Sequence, residues 1–346
     1  MTTGAPTRDD LLQAIDRMAG VSVLVVADLV LDEFEYGEIG RVSREAPVLI
    51  LNHRRTDRVP GGGANTVNNI RALDGQPVVV GRVGEDEPGE HLLGLFRERG
   101  IETSGIWRDP AYATPVKRRI LAGSAYSVKQ QIVRIDRGGG PPVDAGGSPL
   151  LARVREGGAR TRGTLISDYS FGVIHPGTIA QLSETIRASG RPFLVDSRSQ
   201  LRLFRGLTAA TPNLQEVEAA SGEPLGGDPE RLRRAGTRMR ESLQAETLVV
   251  TQGSQGMSIF ARGAPPVHLP VYGTDEVADV TGAGDTVIGT LALAILSGCR
   301  YEAAALLANY AGGLVVMKRG TATVSRDELR QALRTDPAFE RRLRPA

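Results

Sequence analysis

The sequence predicts an α/β fold with a mainly parallel central sheet, and two observations favour that class. Short apolar runs rich in β-branched residues alternate with helical patterns, which indicates βαβ units with helices on both faces of one sheet. Several of these runs end in a polar residue, at the sheet edge where proteins of this class bind ligands. We therefore expect the functional residues to lie beyond the carboxyl ends of the strands.

The apolar runs predict strands that are buried on both faces, because they are nearly continuous rather than alternating. The predicted strands cover residues 21–29, 77–84, 164–170, 192–197 and 247–253. The predicted helices cover residues 64–73, 89–99, 148–156, 176–189, 213–221, 229–243, 287–296 and 301–317.

Two segments, residues 33–56 and 112–136, break this alternation. Both show partial alternation of apolar and polar residues with glycine turn signals, which predicts extended strands outside the main sheet. We expect them to form a small β-sheet lid over the strand ends, with an exposed edge able to pair with a second subunit. Residues 1–330 are then expected to form a single domain, and residues 331–346 a C-terminal helix or tail.

Composition and charge exclude several classes of function. Lys and Arg number 42 against 40 Asp and Glu, so the net charge of +2 gives no strong field for nucleic acid or an anionic membrane. The single cysteine, Cys299, excludes an internal disulfide framework, and the scattered histidines have no zinc-binding spacing. The N-terminal stretch lacks the pattern of a signal peptide, and the longest apolar run is too short to span a membrane. We expect a cytoplasmic protein without membrane or nucleic-acid partners.

The stretch DVTGAGDTVIGTLALAILSG (279–298) places the turn Gly282-Ala283-Gly284 and then Asp285 at the start of an apolar helix. Free amides at a helix N-terminus attract anions, and glycine lets a phosphate approach the backbone. In isolation Asp285 would be interpreted as a helix cap. Where a hydroxyl must lose its proton while it attacks a phosphate, a carboxylate beside such amides has a catalytic use. The stretch therefore predicts either a capped helix or a phosphoryl-transfer site.

Two stretches in the second half of the chain have the composition of a nucleotide site. In TPNLQEVEAASG (211–222), Asn213 and Glu216 lie three residues apart at a helix start. They form either a helix cap or a pair that supports Mg²⁺ through water, since this ion prefers oxygen ligands and keeps several waters. In TQGSQG (251–256), a strand end with Gly253 and Gly256 predicts either a turn between strands or contact with a nucleotide.

Two stretches near the N-terminus have the composition of a sugar site. RVPGGGANTVNNI (58–70) places consecutive glycines before Asn65, which suggests close approach of a ligand, although packing would explain one of them. ADLVLDEF ends a strand in Asp28 and Asp32, which either bind sugar hydroxyls or serve as turn acids. A dinucleotide-dependent oxidoreductase needs the motif GxGxxG directly after the first strand. ADLVLDEF occupies that position here, so we set that class of enzyme aside.

The order of these motifs resembles that of the ribokinase-like (PfkB) sugar kinases. GGGAN, NxxE, TxGxxG and DVTGAGD, followed by ANYAG, occur in that order over residues 20–330. The resemblance implies a ribokinase-like three-layer α/β/α sandwich with a mainly parallel central sheet and a β-sheet lid, and a homodimer joined through the lid. It also implies a kinase that uses ATP and Mg²⁺, with K⁺ as a further cofactor at a monovalent-cation site near Asp279.

Longer matches are similar to the kinase module of the bacterial enzymes that make ADP-heptose. They are LDEFEYGEIGRVSREAPVLIL, KRRIL, QQIVRID, ISDYSFG, TPNLQEVEA, VTQGSQGMSIF and DVTGAGDTVIGTLA. This resemblance implies ATP-dependent phosphorylation of the anomeric (C1) hydroxyl of a seven-carbon sugar 7-phosphate, with D-glycero-D-manno-heptose 7-phosphate as the first candidate. In many bacteria that module is fused to an adenylyltransferase, which we expect this chain to lack.

The chain departs from that pattern on the acceptor side. Ala27 stands where relatives have the glycine of GD, Phe171 where they have a lysine, and residues 197–199 where they read PKG after the aspartate. These departures leave open another sugar or a C7 cyclitol phosphate as the acceptor. A non-catalytic sugar-phosphate sensor is a further alternative, which degraded motifs would favour, whereas here Asp285 and its glycines are intact.

The resemblance implies a role for each matched residue. Asp285 is the catalytic base, and Gly282, Ala283 and Gly284 form the anion hole. The nucleotide and its Mg²⁺, held by Glu216 through water, are implied to lie against Asn213, Glu216, Thr251, Gly253, Gly256 and Asn309. The acceptor is implied to lie against Asp32, Gly61, Gly62, Asn65, Arg41, Lys117, Arg119, Arg134 and Arg198. The cations in that set suit a phosphate already on the substrate, and each one alone is equally an ordinary exposed charge.

Overall fold

The structure is a computed structural model that describes residues 6–123, 129–144, 146, 149–225, 227–273 and 278–342. Its strands are β1 (Ser22–Ala27), β2 (Leu29–Val42), β3 (Leu49–Gly62), β4 (Gln76–Gly84), β5 (Ile106–Asp109), β6 (Ala113–Gly123), β7 (Gln130–Gly139), β8 (Thr164–Asp168), β9 (Phe193–Ser197), β10 (Ala209–Ala210), β11 (Thr247–Thr251), β12 (Met257–Ala261) and β13 (Val267–Leu269). Its helices are α1 (Arg8–Met18), α2 (Gly63–Ala72), α3 (Glu87–Glu98), α4 (Leu150–Ala159), α5 (Pro176–Arg187), α6 (Leu214–Ser221), α7 (Pro229–Ser242), α8 (Ala283–Leu296), α9 (Tyr301–Val316), α10 (Arg326–Thr335) and α11 (Phe339–Arg342).

The central sheet has the strand order β13-β12-β11-β10-β9-β8-β1-β4-β5. Neighbours from β11 to β5 are parallel, and β12 and β13 form an antiparallel edge. Both faces are buried, because Val23 and Val25 of β1 pack into one core. Leu24 and Val26 pack into the other. Helices α1–α3 and α8–α11 cover the first face and α4–α7 the second, which confirms the predicted three-layer sandwich.

Most predicted elements are confirmed, with ends that shift by a few residues, but some were missed. The prediction lacked α1, the short strands β5 and β10, and the edge strands β12 and β13. α1 begins with a capping box at Thr7 and buries Leu11. α10 extends across the boundary expected at residue 330, and its Leu329 and Leu333 are buried in the core to which α1 also contributes.

The lid is a separate sheet with the strand order β3-β2-β6-β7. It extends from the end of β1, the third strand from the β5 edge of the main sheet, since β2 follows β1 after one residue and β3 leads directly into α2. β2 pairs antiparallel with β3 and parallel with β6, which confirms the predicted lid segments, except that residues 124–128 lie outside the described part. Exposed large apolar side chains of the lid are Ile39, Val42, Val48, Leu49, Ile132, Val133 and Ile135.

No helix in the described part of the chain combines the length and the apolar character needed to cross a bilayer.

Candidate active site

Asp285, in the first turn of α8, lies where three elements meet. Its carboxylate accepts hydrogen bonds from α2, with Asn65 Nδ2 2.8 Å from Oδ2 and Thr66 Oγ1 3.0 Å from Oδ1. The hydroxyl of Tyr169, in the loop after β8, donates to Oδ1 at 2.6 Å. Because Asp285 is only 2% exposed, these donors hold its side chain in one orientation.

Opposing influences set the pKa of Asp285. Burial raises the pKa of this carboxyl to about 6, although the hydrogen bonds from Tyr169, Asn65 and Thr66 lower it. The negative charge of Asp32 adds to the rise. The group is therefore ionised at neutral pH, yet its pKa is close enough to neutral for it to accept a proton during a reaction.

Gly282 gives the turn before Asp285 its shape. It is the N-cap residue of α8 and has a left-handed φ of 79°, a conformation that favours glycine. A Cβ at this position would also lie 2.5 Å from Asn65 Nδ2, the atom that bonds to Asp285. The turn and the orientation of the carboxylate therefore both depend on the absence of a side chain here.

The interpretation of Asp285 as a helix cap is wrong. Within the described residues its carboxylate bonds to α2 and Tyr169, and α8 has no side-chain cap. Ala283 begins the helix, with its amide 3.3 Å from the carbonyl of Val280. Gly284 is exposed, with open space beside its Cα. The amide of Ala283 is thus engaged within the turn, whereas the backbone at Gly284 is exposed, and the role of these amides as an anion hole stays a prediction.

Asp32 lies on β2, at the base of the lid, and is almost completely buried. Thr321 Oγ1 donates to its Oδ2 at 3.1 Å, and Arg119 Nη1 lies 3.0 Å from its Oδ1. The Arg119 contact has the distance of an ion pair but lacks hydrogen-bond geometry, so Asp32 Oδ1 and Arg119 Nη1 are buried without a hydrogen-bond partner in the described structure. The two side chains are therefore held together by charge attraction without an aligned hydrogen bond.

Packing within the protein accounts for the glycines before Asn65. A Cβ on Gly61 would lie 2.5 Å from the carboxyl carbon of Asp32, and one on Gly62 would lie 2.8 Å from Val30 Cγ2. Gly62 also has a positive φ of 51°. These contacts explain both glycines without a ligand, so their assignment to the acceptor stays a prediction.

Asp28 has a structural role, as the turn-acid alternative predicts. Its carboxylate accepts the backbone amides of Tyr169, Phe171 and Val173, each at 3.0 Å. The side chain is completely buried, and burial raises its pKa to about 7, with the nearby charge of Asp168 adding to the rise. Asp28 therefore anchors the loop that carries Tyr169, and the alternative that it binds sugar hydroxyls is wrong.

Asn213 and Glu216 form the cap of α6. Asn213 Oδ1 accepts the amide of Glu216, and Glu216 Oε2 accepts the amide of Asn213, both at 2.9 Å. The cap interpretation is therefore correct as a description of structure, and it leaves the Mg²⁺ assignment untested. Asn213 also forms a parallel bridge with Thr251 at the end of β11, so the NxxE and TxGxxG motifs lie side by side.

The remaining predicted nucleotide residues have different surroundings. Gly253 has a φ of 58° and open space beside it, whereas a Cβ on Gly256 would collide with the carbonyl of Leu269. Gly256 thus serves the close packing of β12 and β13. Asn309, on α9, accepts the amide of Tyr272 at 2.9 Å and donates to the carbonyl of Pro270 at 3.2 Å. It fixes the segment after β13, and its contact with a nucleotide stays a prediction.

A groove of about 680 Å³ lies beside the TxGxxG turn. Gln252, Ser254 and Gln255 line it from that turn, and Leu214 lines it from the start of α6. Its other walls include Phe260, His268 and Val271. Burial lowers the pKa of His268, which favours the neutral imidazole in this wall.

Lys117 and Arg198 are the predicted cations next to Tyr169. Lys117 Nζ and Arg198 Cζ each lie 4.7 Å from the centroid of the Tyr169 ring. Burial lowers the pKa of Lys117, and the charge of Arg198 lowers it further. Among the described residues neither cation forms an ion pair, so their charge is available to a bound anion.

Arg134 and Arg41 lie farther from these groups. Arg134 is paired with Asp136 at 2.9 Å and is about half exposed. Arg41 lies near the exposed end of β2, nine residues beyond Asp32, which is roughly 30 Å along an extended strand. Neither contacts Asp285 or its partners within the described residues, and their acceptor roles stay predictions.

Asp279 joins the turn before α8 to the loop after α9. Its Oδ1 accepts the amide of Thr281 at 2.9 Å, and its Oδ2 accepts the amide of Gly320 at 3.1 Å. Across the described ranges no group of three or more His, Cys, Asp or Glu side chains is arranged to hold a metal. The monovalent-cation site near Asp279 therefore stays a prediction.

The sequence-based site omitted three residues that the structure brings to it: Thr66, Tyr169 and Asp196. Thr66 follows Asn65 in GGGANT and Tyr169 lies in ISDYSFG, so their proximity to motifs was the available signal. Asp196 ends β9. Burial raises its pKa to about 8, and the charges of Asp285 and Glu216 contribute to that rise.

Comparison with known proteins identifies the family to which this chain is similar. Residues 25–130 and 173–328 match the pfkB family carbohydrate kinases. The bifunctional protein HldE of Geobacter metallireducens is 41% identical over 311 residues, which cover 89% of this chain and 62% of that protein. HldE of Caulobacter vibrioides is 39% identical over 326 residues, which cover 93% of this chain and 65% of that protein. The chain therefore spans less than two thirds of the length of these curated relatives.

Solved structures of low sequence identity have the same fold. Arabidopsis thaliana ribokinase, complexed with ribose and ATP, aligns with a TM-score of 0.72 at 19% identity, over 92% of this chain and 100% of that one. Escherichia coli phosphofructokinase-2, in complex with substrates and products, aligns with a TM-score of 0.71 at 18% identity, over 91% and 99% of the two chains. The predicted ribokinase-like fold is confirmed, and the chain belongs to the pfkB family of carbohydrate kinases.

Proposed function

We propose that the chain is an ATP-dependent kinase that phosphorylates the C1 hydroxyl of a seven-carbon sugar 7-phosphate, with D-glycero-D-manno-heptose 7-phosphate as the first candidate. One observation carries the reaction class: the oriented, buried carboxylate of Asp285 lies at the uncapped start of α8. Similarity to the HldE proteins over most of this chain supports the choice of acceptor.

In the proposed reaction the acceptor hydroxyl attacks the γ-phosphorus of ATP. Its proton moves to the carboxylate of Asp285 while a bond forms between the hydroxyl oxygen and that phosphorus. The bond from the γ-phosphorus to the β–γ bridging oxygen breaks, and ADP leaves. Backbone amides at the start of α8 stabilise the negative charge of the transferred group. Burial of Asp285 keeps water away from the reacting atoms and so limits hydrolysis of ATP.

The acidic groups of Asp196 on β9 and Glu216 on α6 fit the Mg²⁺ that accompanies ATP. Asp196 and Glu216 repel each other and Asp285, as the raised pKa of Asp196 indicates. A divalent cation relieves this repulsion, and carboxylate oxygens and the waters they hold are the ligands that Mg²⁺ prefers. When bound, Mg²⁺ neutralises charge on the phosphate oxygens. A monovalent cation such as K⁺ near Asp279 is a further part of this proposal.

The groove beside the TxGxxG turn is the proposed site of the adenosine part of ATP. Its volume of about 680 Å³ lies within the range of ligand pockets, roughly 300–1,000 Å³. It lies next to Thr251 and Asn213, which border the acidic end of the site. A nucleotide in this groove can direct its phosphates toward α8.

The acceptor is proposed to bind between the lid and Asp285. Asp32 Oδ1 and Arg119 Nη1, buried without hydrogen-bond partners, would gain bonds from sugar hydroxyls. Lys117 and Arg198 would bind the phosphate that the acceptor already carries, because their charges are not paired within the described residues. A phosphorylated sugar would use both the hydroxyl-binding groups of Asp32 and Arg119 and the two cations. A neutral sugar would use only the hydroxyl-binding groups.

The lid is also the proposed interface of a homodimer in the cytoplasm. Its exposed apolar residues include Ile135, 47% exposed, and Val133, 45% exposed, on the edge strand β7. Exposed apolar side chains on an edge strand favour association with another chain. A second copy of this chain would cover them.

An acceptor panel tests the function. The chain would be incubated with Mg-ATP and, in separate reactions, heptose 7-phosphate, hexose phosphates, ribose and C7 cyclitol phosphates, and ADP release would be measured. We expect the highest kcat/KM with heptose 7-phosphate. A higher value with a cyclitol phosphate would assign the chain to a specialised pathway, an alternative that the departures at Phe171 and Arg198 leave open. ATP-independent binding without turnover of any acceptor would support the sensor alternative.

A further inference from the structure

We propose that Tyr169 is a positioning residue, which occupies Asp285 Oδ1 and so leaves Oδ2 as the atom that receives the acceptor proton. The inference rests on the role proposed above for Asp285. It concerns a residue that the sequence did not single out, in a loop after β8 rather than in one of the motifs around the anion hole.

The hydrogen bonds of Asp285 distinguish its two oxygens. Each carboxylate oxygen has two lone pairs. Oδ1 accepts from Thr66 and from Tyr169, so described residues use both of its lone pairs. Oδ2 accepts from Asn65, and no other described residue donates to it. A hydroxyl that approaches the carboxylate therefore finds an acceptor lone pair at Oδ2.

Hydrogen bonds to buried carboxylates fix the backbone around Tyr169, as a positioning role requires. Asp28 accepts the amide of Tyr169 and those of two later residues in the same loop. Ser170 adopts a left-handed φ of 62°, which is uncommon for a residue with a side chain and needs support from its surroundings. Its amide donates to Asp168 at 2.8 Å. The loop is therefore fixed by two buried carboxylates at its base.

Tyr169 also connects the base to the proposed phosphate-binding cations. Its hydroxyl contacts Asp285, while its ring lies 4.7 Å from both Lys117 Nζ and Arg198 Cζ. A phosphate drawn to those cations would bring the rest of the acceptor over the ring, toward Oδ2. The same side chain thus sets the orientation of the base and one wall of the acceptor site.

The test is Tyr169→Phe, which removes one oxygen and keeps the ring. At saturating acceptor we expect kcat to fall about 10- to 100-fold, the effect of one hydrogen bond to a charged group. Loss of this donor also raises the pKa of Asp285, so the acidic limb of the pH profile of kcat should move to higher pH. The KM for ATP should stay the same. Tyr169→Leu removes the same donor together with the ring, so only the direction of its pH shift serves as the test if the phenylalanine variant does not fold.

Tyr112→Phe is the matched control. Tyr112 lies between β5 and β6, and its hydroxyl donates to the carbonyl of Phe171 at 3.2 Å, so this variant removes one hydrogen bond to the loop of Tyr169 and none to Asp285. We expect its kcat and its pH profile to match those of the wild type. Equal shifts in the two variants, or no shift in Tyr169→Phe, would overturn the proposal, because a purely structural role of the tyrosine predicts one of these results.

A titration that needs no acceptor separates this inference from the proposed function. Chains labelled with ¹³C at aspartate carboxyl groups would be titrated by NMR, with Asp285→Asn used to identify the resonance of Asp285. We expect its midpoint to move to higher pH in Tyr169→Phe and to stay in place in Tyr112→Phe. An unchanged midpoint contradicts the role of Tyr169 even if a sugar is phosphorylated. A shifted midpoint in a chain that phosphorylates no acceptor contradicts the proposed function instead.

Discussion

The core side and the lid side of the proposed site are built in different ways. On the core side, Asp285, Asn65 and Thr66 are buried and joined by hydrogen bonds between α8 and α2. On the lid side, Lys117 of β6 and Arg198, which follows β9 of the central sheet and faces the lid across Tyr169, form no ion pair within the described part of the chain. Residues joined by buried hydrogen bonds are needed for stability as well as for chemistry. Cations without a partner are needed only to bind the ligand. The comparison explains why the motifs of phosphoryl transfer match the family while the acceptor side departs from it.

The free energies of the contacts on the core side and on the lid side differ in the same sense. A buried polar group that loses its hydrogen-bond partner costs about 1–3 kcal/mol, so changes around Asp285 threaten folding. An exposed ion pair contributes only about 0–1 kcal/mol, so exposed charged residues of the lid, such as Arg134, can be exchanged with little effect on stability. Acceptor specificity can therefore change while the reaction and the fold persist.

The largest expected effect is that of Asp285→Asn, which tests the core side. We expect kcat to fall by about 10²–10⁴-fold, the usual contribution of a general base, because the amide cannot take up the proton. ATP affinity, measured by calorimetry, should change little. Asp327→Asn is the control, since Asp327 is an exposed carboxylate on α10. Turnover at the wild-type rate in Asp285→Asn would refute the role of this residue.

The next effect in size tests the lid side, through Lys117→Met and Arg198→Gln. We expect the KM of a phosphorylated acceptor to rise about 10- to 100-fold, because a charge-assisted bond to phosphate is lost. The KM of the same sugar without its phosphate should hardly change. Arg134→Gln, which removes an exposed cation paired with Asp136, serves as control. Equal effects on both acceptors would show that these cations do not bind the phosphate.

A third prediction concerns the outer surface of the lid. We expect a dimer in solution, and we expect Val133→Asp combined with Ile135→Asp to produce monomers, because charges replace apolar contacts between the two copies. Sedimentation equilibrium measures the change. Leu203→Asp is the control, as this residue is 50% exposed outside the lid. A monomeric wild type, or a double variant that remains dimeric, would contradict the proposed interface.

The smallest effect concerns the pH dependence of stability. Burial raises the pKa of Asp28 in the folded chain to about 7, above its ordinary value of 3.8. Folding therefore favours the protonated form, and this contribution to stability is complete below about pH 4 and is lost as pH rises through about 7. Because Asp28→Asn removes the titration, it should flatten the fall in unfolding free energy between pH 5 and 7, by at most about 1.4 kcal/mol per pH unit.

Urea denaturation at several pH values measures this slope, with Asp327→Asn as the control for an exposed carboxylate. A slope in Asp28→Asn equal to that of the wild type would mean that Asp28 does not take up a proton on folding.

The sequence predicted the fold well because local patterns and global packing agree. Continuous apolar runs are required in strands buried on both faces, and the structure has such strands where those runs occur. The lid was predicted because residues 33–56 and 112–136 interrupt the alternation of strands and helices. α1 was missed although its local signals are present, since a capping box at Thr7 precedes the buried apolar residues Leu11, Ala14, Ile15 and Met18 at helical spacing.

The site was less predictable, because orientation depends on contacts between distant segments. Asp28 and Asp32 follow the same strand, but only the path from β1 to β2 decides that one binds loop amides and the other faces Arg119. The glycines before Asn65 suggested a ligand, while the close approach of Asp32 accounts for Gly61. Tyr169 had no motif of its own, and its hydroxyl meets Asp285 across 116 residues of sequence.

Phosphorus NMR of the product tests the central claim most directly. The wild-type chain, Mg-ATP and D-glycero-D-manno-heptose 7-phosphate should give ADP and a new resonance from a phosphate on the anomeric carbon, alongside the original 7-phosphate. Asp285→Asn should give neither. Release of inorganic phosphate alone, or transfer to a carbon other than C1, would contradict the claim that this carboxylate deprotonates the anomeric hydroxyl of a sugar phosphate.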